Sequence, residues 1–117
     1  MIIRGTTPTY RFFIPFPISN ISQIEVSYSQ CGEVILTKYL NDLEIDSENN
    51  LIYVNLSQDD TLAFHFNEKN RDNLILIDIR VLLVNGKAYA SDTIKERLRD
   101  VLRDGKIMPA IFEEGEK

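Results

Sequence analysis

Two side chains have the chemistry of nucleophilic catalysis: Cys31, the single thiol, and His65, the single imidazole. A histidine base activates a thiol or hydroxyl only when the two converge and a third group orients the ring. His65 lies in LAFHFN between Phe64 and Phe66, and no Gly-x-Ser-x-Gly elbow or other nucleophile setting accompanies it. A half-buried histidine bonded to a loop carbonyl is the plainer reading, and Cys31 beside Gly32 reads as a hairpin-turn thiol. Asp42, Glu44, Asp46 and Glu48 fall at alternate positions, as ligands in a calcium loop would. A loop counted from Asp42 needs Gly at its sixth position and a bidentate Glu at its twelfth, where the chain has Ser47 and Tyr53. The same spacing fits the solvent face of a strand with Leu43 and Ile45 turned inward. Clusters of Cys and His for zinc are missing, and the five glycines are isolated, so no phosphate-binding loop is visible. Lys95, Arg97, Arg99, Arg103 and Lys106 are interspersed with Glu96, Asp100 and Asp104, the pattern of a solvated face laced with weak ion pairs. The expectation is a protein that is not an enzyme, with no catalytic, cofactor-binding or metal site and no cofactor.

The elements that would carry these residues are mostly short strands. At 117 residues with 44% hydrophobic and 26% charged residues, the chain has the length and composition of one folded domain. We place it at 1–110, with a loose C-terminal tail at 111–117. Net charge is −5, which disfavours nucleic acid and an anionic membrane as partners. No secretory leader or apolar span is legible, and a lone cysteine does not ask for an oxidising compartment, so a cytoplasmic origin is expected. In TYRFFIP, Tyr10, Phe12 and Ile14 face one way and Arg11 and Phe13 the other. QIEVSYSQ puts Ile24, Val26 and Tyr28 on one face, Cys31-Gly32 turns the chain, and EVILTKYL returns. After Leu43 and Ile45, Asn49-Asn50 supplies a turn, and Ile52, Val54 and Leu56 alternate again. Ser57 with Asp60 forms a variant capping box, predicting one helical turn that crosses between sheets. NEKNRDN is a polar loop. Residues 74–82 contain seven Leu, Ile or Val, which predicts a central strand with little exposed on either face. Asp78 and Arg80 share a face there, as neighbours of each other or of a cross-strand partner.

Residues 87–107 carry conflicting signals. Ile94, Leu98, Val101 and Leu102 have helical spacing, Thr93 and Glu96 form a capping box, and Gly105 is a stop, which together give a helix over 93–104. Folding back from Asn85-Gly86 instead pairs Tyr89 with Leu82, Ser91 with Arg80 and Thr93 with Asp78. We favour this return strand to about residue 96 or a little beyond, followed by a short helical turn before Pro109. About seven strands without alternating helices predict an all-β fold, an antiparallel two-sheet sandwich of immunoglobulin-like pattern. A partly open barrel, or a sandwich plus the C-terminal helix, are the alternatives.

RGTTP at Arg4–Pro8 resembles the start of a group of small proteins encoded by prophages of Gram-positive bacteria, among tail and host-attachment genes. The resemblance continues in the same order through VSYSQCGEVIL (26–36), LSQDDTL (56–62), IRVLLVNGKAYASD (79–92) and VLRDGKI (101–107). In size and β pattern the group is similar to the N-terminal domain of phage baseplate upper proteins. The resemblance implies a structural or adaptor role at the tail or baseplate, with other phage tail or baseplate proteins as partners, assembly in the bacterial cytoplasm and then a place in the virion. It brings no catalytic residues. The chain departs from the group at 94–103, where the group alternates apolar and polar residues and IKERLRDVLR is highly charged.

Thr6, Thr7 and Thr9 favour extended backbone, while Gly5 and Pro8 keep Arg4–Pro8 out of a regular ladder. Such a segment either protects a sheet edge or reaches a neighbour. On the second reading Arg4, Thr6, Thr7 and Tyr10 are the candidate interaction residues, with a homo-oligomer among the options. Two other functions remain open: a carbohydrate-binding module using Tyr10, Tyr28, Tyr39, Tyr53 and Tyr89, and a small prophage regulatory protein. Tyrosines clustered on one face would favour the former; scattered or buried ones would not.

Overall fold

Alternation of apolar and polar residues becomes two facing sheets in the computed structural model, which describes residues 1–67 and 73–110. The strands are β1 (Ile2–Ile3), β2 (Thr9–Phe13), β3 (Ile21–Gln30), β4 (Glu33–Tyr39), β5 (Glu44–Asp46), β6 (Leu51–Asn55), β7 (Leu74–Leu83), β8 (Ala88–Ala90) and β9 (Ile94–Arg99), with one short helix, α1 (Gln58–Leu62). The larger sheet runs β1-β9-β7-β3-β4, with β8 also on β7, and the smaller runs β2-β6-β5. This is the all-β, two-sheet sandwich expected from the period-two runs, and the sheets stay separate rather than closing into a barrel. One pair departs from the antiparallel rule: β1 runs parallel to β9, Ile2 opposite Leu98 and Ile3 opposite Arg99. Two residues are too short to leave a periodic trace, so this strand was not predicted.

The core lies between the sheets. Ile24, Val26 and Tyr28 of β3, Ile75, Ile77, Ile79 and Val81 of β7, Ile52 and Val54 of β6, and Phe64 beyond α1 are all buried. β7 is central in its sheet, as predicted, but its second face is open. Leu74, Asp78, Arg80 and Leu82 are exposed, because the small sheet covers the large one on a single side. Arg80 uses that open face to reach the directly opposite Glu25 at 2.6 Å, a cross-strand partner. Ile45, expected inside, is exposed on β5, the outer strand of the small sheet.

The hairpin leaving β7 differs from the predicted register by one residue, and then corrects itself. Arg80 faces Ala90, Val81 faces Tyr89 and Leu82 faces Ala88. Of Asn85 and Gly86, only Gly86 takes positive φ (89°), so the loop is Val84–Gly86, a three-residue turn rather than a two-residue one. Ser91 then absorbs the offset. Its amide donates to Ile79 O at 2.8 Å, and its Oγ accepts from Ile79 N at 3.1 Å. Beyond it β9 pairs Ile94 with Ile77 and Arg97 with Leu74, the register the sequence predicted. Residues 93–104 are therefore not a helix, and no helical turn precedes Pro109: from Asp100 to residue 110 the chain is irregular, with bends at 102, 103 and 105. The polar loop at 68–72 and the tail at 111–117 lie outside the described residues.

At the β3–β4 turn both central residues, Cys31 (φ 54°) and Gly32 (φ 78°), are left-handed, as a two-residue hairpin requires. Glycine adopts this freely; cysteine does so at a cost that asparagine largely avoids. Cys31→Asn is expected to stabilise the fold by about 0.5–1 kcal/mol, raising the melting temperature by a few degrees in calorimetry. An unchanged or lower melting temperature would count against turn strain at this position.

Candidate protein-interaction surface

The threonine-rich opening is the strap that carries the chain from the large sheet to the small one, between β1 and β2. Gly5 turns it at φ 80°. Thr61, buried on α1, holds it from both sides: Gly5 N donates to Thr61 Oγ1 at 2.9 Å, and Thr61 Oγ1 donates to Thr6 O at 2.8 Å. The capping box places Thr61. Asp60 N donates to Ser57 Oγ at 3.0 Å and Ser57 N donates to Asp60 Oδ2 at 2.8 Å. Asp60 also meets Lys38 Nζ at 2.9 Å, tying the helix to the edge strand β4 of the other sheet.

Arg4 is the hub of this end of the molecule. Its Nε donates to Phe64 O at 2.8 Å and its Nη2 to Leu62 O at 3.2 Å, while Nη1 reaches Asp100 at 2.8 Å and Asp104 at 2.9 Å. Only 14% of its side chain is exposed. Burial alone would lower its pKa, but Asp100 and Asp104 outweigh that and raise it. Arg4 thus fastens β1, the end of α1 and the segment after β9 together. Of the other interaction candidates, Thr6 and Thr7 are exposed, with Thr6 Oγ1 donating to Ile3 O at 2.6 Å. Tyr10 is half-buried, with its ring parallel to Phe12 at 6.0 Å and edge-on to Tyr28 at 5.9 Å. Burial, and then the nearby Glu96 carboxylate, push the Tyr10 hydroxyl far above its ordinary range.

The remaining tyrosines are dispersed. Tyr28 is wholly buried, Tyr53 is on the small sheet, and Tyr39 and Tyr89 lie on β4 and β8 of the large one. They form no single aromatic platform on which a sugar would stack. Cys31, Glu33 and His65 all contribute to the wall of one pocket of about 220 Å³. Gln30 shapes it by clasping the His65 backbone, accepting from His65 N at 2.8 Å and donating to His65 O at 2.5 Å. Among the described residues no hydrogen bond joins the Cys31 thiol to the His65 ring, and the contacts made at His65 are those of its backbone with Gln30. The alternating carboxylates build turns: Asp42 accepts from Tyr39 N at 3.0 Å, and Asp46 accepts from Asn49 Nδ2 at 2.8 Å. Among the described residues no group of three His, Cys, Asp or Glu converges as a metal site would.

Two features escaped the sequence reading. The first is an arm formed by residues 100–110, pinned in place yet apolar outside. Gln58 clasps Ile107 through both backbone groups (Ile107 N to Oε1 2.6 Å, Nε2 to Ile107 O 3.1 Å), and Lys106 reaches Asp59 at 3.2 Å. Leu102 is fully exposed, Ile107 is 75% exposed and Met108 71%. The second is a groove of about 270 Å³ at the far end of β2, formed by Phe13, Ile14 and Phe16 against Ile79, Val81 and Tyr89. The Phe16 and Tyr89 rings close one end, 4.9 Å apart. The arm lies outside regular periodicity, and the groove joins residues of three separate segments, which is why no pattern announced them. With a radius of gyration of 17.2 Å, against roughly 13 Å for a ball of this size, the chain is spread out and rich in margins.

Several carboxyls set the acid limit of this arrangement. The Arg4 guanidinium, then the Val101 N–H, hold Asp100 below the usual carboxylate range. Burial would raise Asp60, but Ser57 and Lys38 outweigh it and hold it low; Asp46 is lowered chiefly by Asn49. A carboxyl lowered in the folded state stabilises it above the unfolded value and loses that contribution as pH falls through the folded value. Stability is expected to be flat near neutrality and to fall below about pH 4, and the fall should be shallower in Asp60→Asn. Thermal melts of both proteins from pH 7 to pH 2.5 measure this; parallel curves would contradict it.

The chain matches no protein-family model and no curated protein.

Proposed function

We propose that this chain is a non-enzymatic structural or adaptor protein of a phage or prophage particle, associated with the tail or baseplate and acting through protein–protein contacts. The observation that carries this reading is where the most exposed large apolar side chains lie. Leu102, Ile107 and Met108 on the arm, Val84 in the β7–β8 loop, and Phe13 and Val34 on edge strands are all exposed, while the polar network of Arg4, Thr61 and Asp60 goes into holding the fold. Apolar side chains gathered at edges and termini are the tools of a protein that binds proteins. The order of the resembling segments along the chain, from RGTTP to VLRDGKI, gives the particle context. Mass spectrometry of particles purified after prophage induction tests it. Peptides of this chain are expected at a level comparable to other tail components. Their absence would overturn the structural role and leave an assembly factor or a regulator.

A further inference from the structure

We propose that the chain associates head-to-tail with second copies of itself, the arm of one copy seated in the groove formed by Phe13, Ile14, Phe16, Val81, Tyr89 and Ala90 of the next. The arm presents Ile107 and Met108 largely exposed, and the groove is apolar and open. The two sit at opposite ends of β2. Thr9, facing Asn55, is beside α1 and the arm's anchor at Gln58, whereas Phe13, facing Leu51, leads into the groove. Because Gln58 fixes the backbone of Ile107, that side chain stays at its own end and meets a groove only on a neighbour.

Charge supports the same occupant. From Ile94 to Lys106 there are five Lys or Arg against three Asp or Glu, and two of those acids, Asp100 and Asp104, are taken by Arg4. Lys95, Arg97 and Arg99 point to solvent from β9. From Tyr39 to Asn67 there are six Asp or Glu and no Lys or Arg, and two of the six, Asp59 and Asp60 on α1, lie at the arm end and are paired with Lys106 and Lys38. The other four, Asp42, Glu44, Asp46 and Glu48, lie on and beside β5, and the turn that carries Glu48 closes against the groove, where Ile14 N donates to Asn50 O at 2.8 Å. A basic arm end therefore meets an acidic groove end, which steers unlike ends together and like ends apart. Among the described residues no strand pairs with the outer edge of β8, beside the groove, which suits the addition of an extended segment. A contact between two different surfaces does not close on itself as a two-fold dimer does; it propagates to a ring or filament.

This inference rests on the reading that the margins make contacts and is independent of the particle assignment, since the purified chain alone tests it. Sedimentation velocity across a concentration series reads the outcome. The full chain is expected to sediment above the mass of one copy, increasingly so with concentration. Ile107→Ser/Met108→Ser, whose side chains are exposed, is expected to weaken association at least roughly tenfold and leave the melting curve unchanged. Phe13→Ser is expected to do the same from the groove side. An equimolar mixture of the two variants should give a two-copy species and nothing larger, because one intact arm and one intact groove remain. If Phe13→Ser does not fold, substoichiometric arm variant added to the unmodified chain should cap its growth. A chain that stays at one copy at every concentration, or variants that assemble like the original, would overturn the proposal.

Discussion

Replacing Arg4 by methionine is expected to lower the melting temperature by about 10–15 °C, corresponding to a loss of roughly 2–3 kcal/mol. Methionine keeps most of the apolar stem, so the variant isolates the guanidinium. What is lost is the donor set for Phe64 O and Leu62 O, which belong to a half-buried end of the fold. The two carboxylates matter less individually: Asp100 is 37% exposed and Asp104 72%, so water takes over much of what Arg4 provided. Lysine should recover less than half of the loss, since a single ammonium does not reproduce the planar fork that reaches carbonyls and carboxylates together. A second readout distinguishes the latch from a generic loss. Amide exchange should accelerate first at Val101, whose N–H is held by Asp100 Oδ1 at 2.9 Å, and along the arm after it, before the core strands. Equal acceleration in β3 and β7 would show that Arg4 supports the whole core and not the junction of the termini.

Phe64→Ala should cost more, about 3–5 kcal/mol. Phe64 has no exposed surface, and its ring lies 6.2 Å from that of Tyr28 in a tilted pair. Tyr28 in turn packs edge-on to Tyr10. Truncation leaves a cavity beside Tyr28 in the core, next to the junction that Arg4 holds, where full collapse is difficult. Chemical denaturation at neutral pH measures the loss. A cost below about 1 kcal/mol would mean that this corner repacks freely, against the density of ordinary cores. Combining Phe64→Ala with Arg4→Met should fall short of the sum, because Arg4 Nε binds the Phe64 carbonyl and the two changes loosen one junction.

The strands and their faces were legible because burial on one side of a sheet writes itself as alternation. Ile24, Val26 and Tyr28, or Ile52 and Val54, need nothing beyond that rule. Capping at Ser57 and Asp60 was legible for a similar reason: the chemistry is local. Where local and distant interactions competed, local spacing favoured a helix and hairpin pairing favoured a strand, and the pairing, which the sequence reading preferred, prevailed. Thr93, Glu96 and Gly105 have the spacing of a helix, yet the long apolar edge of β7 took Ile94–Arg99 as a strand, and Arg4, nearly a hundred residues away, took Asp100 and Asp104. The open second face of β7 was hidden by its own composition, since Leu74, Leu76 and Leu82 look like core residues whether or not a second layer covers them. The arm and groove were illegible in principle: one is defined by what its side chains do not touch, the other by residues drawn from three separate segments. Arg4 was singled out from the opening pattern, but its partners at Leu62, Phe64, Asp100 and Asp104 are matters of three-dimensional convergence.

The claim that this chain works through its margins is met most directly by placing a photo-activated cross-linking residue at position 108, on the exposed arm, in bacteria that produce the particle. Irradiation is expected to give a discrete adduct at twice the mass of the chain, with the cross-link mapped to the strip around Phe13 and Tyr89. An irradiated sample in which position 108 reacts only with solvent, while the same residue placed in the core cross-links within the molecule, would contradict the account.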